Sequence, residues 1–147
     1  MGFSVSGATA IILVGGIIAF SFAFTAASNG FEQLSDAQTD RENRLLDQQN
    51  TAVEIASATY DGDAETLEVV VSNSGSSDLA IARTSLVVDG TYHTDVSSAV
   101  DGDDATTLWL SGEQLTLEVS VDAQPDRVKV VTETGVADAT SEVTASG

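Results

Sequence analysis

Apolar residues are laid along this chain in two different patterns. Residues 8–27, ATAIILVGGIIAFSFAFTAA, form an unbroken uncharged run, whereas from residue 51 onward apolar and polar residues alternate over short stretches. Twenty helical residues at about 1.5 Å rise each match the roughly 30 Å hydrocarbon core of a bilayer, so the run predicts a transmembrane helix. A cleaved signal peptide is the rival reading, with small residues at Ala26 and Ala27, but it wants a basic region ahead of the apolar run. No Lys or Arg precedes Arg41, so neither that region nor the basic residue of a pilin-type leader is expected.

The next segment, FEQLSDAQTDRENRLLDQQN at residues 31–50, has neither Gly nor Pro and is rich in helix formers. Asp40 stands four residues before Arg44, a spacing at which opposite charges meet on one helix face. The membrane helix is therefore expected to continue as a solvated stalk. A heptad frame from Phe31 places Phe31, Leu34, Leu45 and Ala52 at core positions, but also Gln38, Arg41 and Gln48, which argues for a spacer over a stable coiled coil.

After Asn50 the pattern is that of β-structure. Leu115, Leu117, Val119 and Val121 alternate with Thr116, Glu118 and Ser120, and Leu67, Val69 and Val71 do the same in residues 66–72. Further strands are predicted at 52–60, 79–89, 91–97, 106–110 and 127–132. Turn signals separate the strands at Asp61-Gly62, Asn73-Ser74-Gly75, Asp89-Gly90, Asp101-Gly102 and Ser111-Gly112. The apolar phase changes between Ile81 and Leu86, so 79–89 is bulged or two strands. About seven short strands with regular turns predict a small immunoglobulin-like β-sandwich, with Trp109, Tyr60 and Tyr92 as large core fillers. Residues 134–147, without Phe, Leu or Ile, read as a disordered tail. The fold class is thus mainly β with a long N-terminal α-helix: an anchor (1–30), a helical stalk (31–50), a sandwich (51–133) and a tail (134–147).

Charge sharpens this division. The net charge is −18, from 5 Lys and Arg against 23 Asp and Glu, and every charged side chain lies beyond Phe31. Nucleic acid and anionic lipid are poor partners for such a chain. Asp-rich loops, a single Lys and abundant Thr and Val look like the protein style of extreme halophiles, in which molar salt shortens the Debye length to about 3 Å and screens the repulsion. Two arginines, Arg41 and Arg44, on the C-terminal side of the apolar run weakly favour that side being cytoplasmic. They lie among acidic residues and near the limit of the rule's reach, so the count decides little by itself.

Little here points to chemistry. There is no Cys, so neither a disulfide framework nor a thiolate zinc site is available. His93 is the sole His and reads as a strand residue near a hairpin turn, with no nucleophile elbow to serve. Asp101, Asp103 and Asp104 offer three carboxylates on one turn, a weak calcium candidate without EF-hand spacing. No cofactor and no catalytic residue are expected. Within the apolar run, Gly15, Ala19, Ala23 and Ala27 recur every four residues, a ridge that would let a second helix approach closely.

The opening MGFSVSGATAIILVGGIIAF, the stalk ending LLDQQN, the passage NTAVEIASATYDG and the sandwich segments TLEVVVSNSG and LVVDG together resemble the archaellar F family (ArlF/FlaF) of haloarchaea over residues 1 to about 133. That resemblance implies a membrane-anchored stator component of the archaellum, the rotating swimming filament. It further implies a sandwich domain outside the membrane, beneath and against the surface-layer protein, an archaellar G protein as co-worker, and self-association as a homodimer. The alternatives are a pilin- or archaellin-like filament subunit and, more remotely, a tethered hydrolase or binding protein. The useful contacts of a stator are expected at the strand edges or sheet faces of residues 66–72, 106–110 and 115–121.

Overall fold

The computed structural model describes residues 2–146. One helix, α1 (Gly2–Asn50), carries both the apolar run and the acidic segment without interruption, because no Pro breaks it and its Gly residues stand singly or in one pair. Among the described residues it is the one helix long and apolar enough to cross a membrane. Within the apolar run the hydroxyls of Ser21 and Thr25 donate to the carbonyls of Ile17 (2.8 Å) and Ser21 (2.9 Å) one turn back. Both hydroxyls are thereby satisfied by their own helix.

The chain divides into two compact units, residues 1–43 and 44–147. The expected change at residue 51 is therefore one of secondary structure only: the last two turns of α1 belong with the β-domain.

That domain has a five-stranded sheet in the order β11-β1-β2-β8-β6 and a four-stranded sheet in the order β10-β9-β4-β5. The first comprises β1 (Val53–Asp61), β2 (Thr66–Asn73), β6 (Ser97–Val100), β8 (Gln114–Ser120) and β11 (Thr144–Ser146). The second comprises β4 (Ser85–Val88), β5 (Thr91–His93), β9 (Val128–Val131) and β10 (Ala137–Thr140), and a short ladder joins β3 (Leu79–Ala80) to β7 (Leu108–Trp109). The alternation in β2 and β8 turns Leu67, Val69, Val71, Leu115, Leu117 and Val119 inward, where they meet Leu86, Val88, Val128 and Val130 of the facing sheet. Trp109 is fully buried and its indole N–H donates to the Glu113 carbonyl at 2.9 Å, so the polar tip is satisfied.

Asp89-Gly90 and Asp101-Gly102 both have two consecutive residues at positive φ (48° and 82°; 47° and 89°). This is the primed two-residue turn that matches the twist of a hairpin and explains the Asp-Gly pairs.

Several expectations are corrected. Residues 79–89 are two strands parted by a 3-10 turn, Ile81–Arg83, which is where the apolar phase shifts. Strand 91–97 is confined to Thr91–His93, and a separate strand begins at Ser97. Tyr92 is no core filler: it is 59% exposed, because in β5 it is Leu86's partner His93 that turns toward the sandwich.

The disordered tail is instead two edge strands. β10 pairs with β9, and β11 runs parallel to β1, so the last 14 residues add one strand to each sheet. β1 has a register shift between Ile55 and Ser57, and there the Ile55 N–H donates to the Asp138 carboxylate of β10 at 2.8 Å. This carboxylate satisfies a backbone donor on a stretch of β1 that β11, paired only at Thr59–Asp61, leaves without a strand neighbour.

Candidate interaction surfaces

Two places in the β-domain combine unusual geometry with accessibility. The first is the joint between α1 and the sandwich. The last carbonyls of a helix have no partner within it. Here the Asn50 carbonyl accepts from the N–H groups of Ser76 (2.8 Å) and Ser77 (3.2 Å), the Ala52 carbonyl from Gly75 (2.9 Å), and the Asp47 carbonyl from the Thr51 hydroxyl (2.7 Å). A Cβ on Gly75 would lie 2.5 Å from the Asn50 oxygen and the Ala52 nitrogen, so only a glycine lets the β2–β3 turn approach this closely.

Asn73 holds the turn from within. Fully buried, it donates from Nδ2 to the carbonyls of Ser77 (2.9 Å) and Trp109 (3.3 Å) and accepts the Gly75 N–H at Oδ1 (3.1 Å). The Ser111 hydroxyl donates to the Gly75 carbonyl, and Gln48 of α1 reaches the Thr134 carbonyl at 2.9 Å. A cleft of about 420 Å³ beside the joint has mixed charge and includes the exposed Arg83–Glu133 ion pair at 3.1 Å. The sequence shows Asn73-Ser74-Gly75 as a turn signal; that it seals the helix end depends on residues outside that motif and is not legible there.

The second place is β7. Of the segments expected to make contacts, residues 66–72 and all but the last of 115–121 belong to β2 and β8, which have a strand on each side and so offer no edge. Their outward face sets Glu68 directly opposite Glu118. Residues 106–110 differ: β7 lies at the rim, with Leu108 51% and Leu110 41% exposed on either side of buried Trp109.

The other sequence candidates are separate from these. Asp101 and Asp103 each bind backbone, at the N–H of Gln114 (3.2 Å) and of Ala105 (2.9 Å), and among the described residues no group of three or more potential ligands is placed to hold a metal ion. Gly15, Ala19, Ala23 and Ala27 are exposed along α1, and a Cβ on Gly15 would meet nothing within 4 Å. His93 is half-buried in β5.

A sequence model described as archaeal-type flagellin matches residues 2–142. The chain belongs to the archaeal-type flagellin family. The match takes in β10, beyond the Glu133 limit of the resemblance read from the sequence, and it is broader than the archaellar F family. No curated protein matches the chain.

Solved structures with similar folds include the archaellum periplasmic stator protein FlaG from Sulfolobus acidocaldarius, with 13% identity, TM-score 0.44, and coverage of 61% of this chain and 97% of that one. The archaellum periplasmic stator complex of FlaF and FlaG from the same organism matches at 12% identity and TM-score 0.43, covering 60% and 85%. The ligand-binding region of serine-glutamate repeat protein A of Enterococcus faecium matches at 16% identity and TM-score 0.39, covering 67% and 98%.

Proposed function

We propose that this family member is a non-enzymatic, membrane-anchored stator component of the archaellum of the archaellar F kind. Its apolar helix crosses the cell membrane once, and its sandwich lies outside, in the space beneath the surface layer, and binds the surface-layer protein. The observation that carries the reading is the single helix Gly2–Asn50, which joins an uncharged apolar half to an acidic half and ends sealed into a sandwich by backbone hydrogen bonds. An anchor, an arm and a binding module without a chemical centre suit a mechanical tether. Family membership and the opening residues MGFSVSGATAIILVGGIIAF support the archaellum as its setting. An archaellar G partner, homodimerisation and pairing along Gly15, Ala19, Ala23 and Ala27 belong to the same reading.

Affinity purification of the full chain from solubilised envelopes at molar salt tests it: surface-layer protein is expected in the eluate, and its absence removes the main partner. The family match favours one second reading, a filament subunit of the archaellin kind. Recovery of the chain as a major, repeated component of sheared filaments would establish that reading in place of the stator.

A further inference from the structure

Beyond Leu46, the large apolar side chains left exposed among the described residues are Tyr92, Leu108 and Leu110. Two of the three are close together: Leu108 in β7 and Leu110 just past its end lie on either side of buried Trp109. They flank a groove of about 380 Å³ that has buried Val100 at its floor and Asp101, Asp103, Thr106 and Glu113 around it. No cation lines it.

The backbone edge beside these leucines is closed. The Leu108 N–H donates to the Thr106 hydroxyl (3.4 Å), which in turn donates to the Leu108 carbonyl (3.0 Å). The Leu110 N–H donates to the Glu113 carboxylate (2.8 Å), and the Leu110 carbonyl accepts from the Glu113 N–H (3.2 Å). The Thr106 and Glu113 side chains and the Glu113 N–H thus occupy the backbone groups that an incoming strand would use, which protects the edge from pairing. Recognition here must run through the side chains.

The carboxylates are also fixed in advance. One oxygen each of Asp101, Asp103 and Glu113 accepts a backbone N–H, from Gln114, Ala105 and Leu110. Groups already ordered lose little entropy when a partner arrives.

We infer that this groove receives a lysine or arginine carried on an apolar segment of a partner protein, with its aliphatic stem across Leu108 and Leu110 and its charge against Asp101, Asp103 and Glu113. The inference deepens the proposed function and rests on it only for the claim that the sandwich grips another protein. Charge complementarity selects this occupant. A neutral apolar segment would strip water from three carboxylates and return nothing, whereas a long basic side chain matches both the apolar and the acidic surface. Guanidinium, more weakly hydrated and able to form two parallel bonds with a carboxylate, fits better than ammonium. At molar salt the apolar contact supplies most of the affinity and the acidic rim supplies the selection.

The test uses the full chain in lipid nanodiscs at molar KCl, titrated with three labelled ten-residue peptides alternating Leu with Arg, Leu with Glu, and Ser with Arg. Variants in the same nanodiscs cancel any binding of peptide to lipid, and emission from buried Trp109 reports that each variant is folded. The Leu/Arg peptide is expected to bind the native chain at least tenfold more tightly than it binds Leu108→Ser/Leu110→Ser. Asp101→Asn/Asp103→Asn is expected to lose the preference for Leu/Arg over Leu/Glu while keeping its turns, since Asn tolerates positive φ. Equal binding to native chain and leucine variant, or an unchanged preference in the Asn variant, overturns the inference. Surface-layer capture by the leucine variant at native levels would discard the groove and keep the stator, whereas the predicted peptide binding without any surface-layer capture would do the reverse.

Discussion

Asn73 and Gly75 contribute more than their place in a turn suggests. Asn73 bonds two carbonyls and the Gly75 N–H from a site with no exposure, so replacing it with Ala leaves buried groups unsatisfied. Asn73→Ala is expected to lower stability by about 1–3 kcal/mol, read from the Trp109 fluorescence of the reconstituted chain in a denaturant series. An unchanged midpoint would show that the joint does not depend on it. Glu68 opposite Glu118 is a residue-scale opportunity: like charges facing across a ladder oppose each other. Glu68→Thr should stabilise by about 0.2–1 kcal/mol at 0.1 M salt and by close to nothing at molar salt, where the pair is screened. A gain that persists in full at high salt would mean the charge is not its cause.

At the scale of elements, the sequence exposes whatever repeats. β2 and β8 have one buried and one wet face, and their period of two is plain in TLEVVVSN and QLTLEVS. The helix is equally plain in its apolar run and its missing Pro. β10 and β11 are not, because ADAT and TAS are edge strands whose apolar content is carried by neighbours: Val143, between them, packs against the core. The β7 rim is half legible, since Leu108, Trp109 and Leu110 read as a continuous apolar strand until the fold turns only Trp109 inward. The joint around Asn73 is illegible, as its partners come from residues 47–52, 77, 109 and 111. The edge strands give a prediction of their own. Removing residues 134–147 uncovers β1 and β9 and leaves the Ile55 N–H without Asp138, so the truncated chain is expected to melt lower and to aggregate on heating. Melting identical to that of the full chain would make these strands dispensable.

For the whole molecule, the −18 charge describes the β-domain and the acidic part of the helix, since the first 31 residues contribute none. A small domain with this excess repels itself when the Debye length is about 10 Å, at 0.1 M salt, and much less at about 3 Å, near 1 M. The melting temperature is therefore expected to rise steadily from 0.1 to 2 M KCl, and a flat profile would argue against a halophilic setting. The same asymmetry frames the proposed function, in which an uncharged anchor passes into an acidic arm ending in a sandwich that holds something fixed. Deleting the gene and observing tethered, motile-phase cells tests that account most directly. The account predicts filaments that assemble at normal length yet fail to turn or to propel the cell; filaments that turn normally, or no filaments at all, would contradict it.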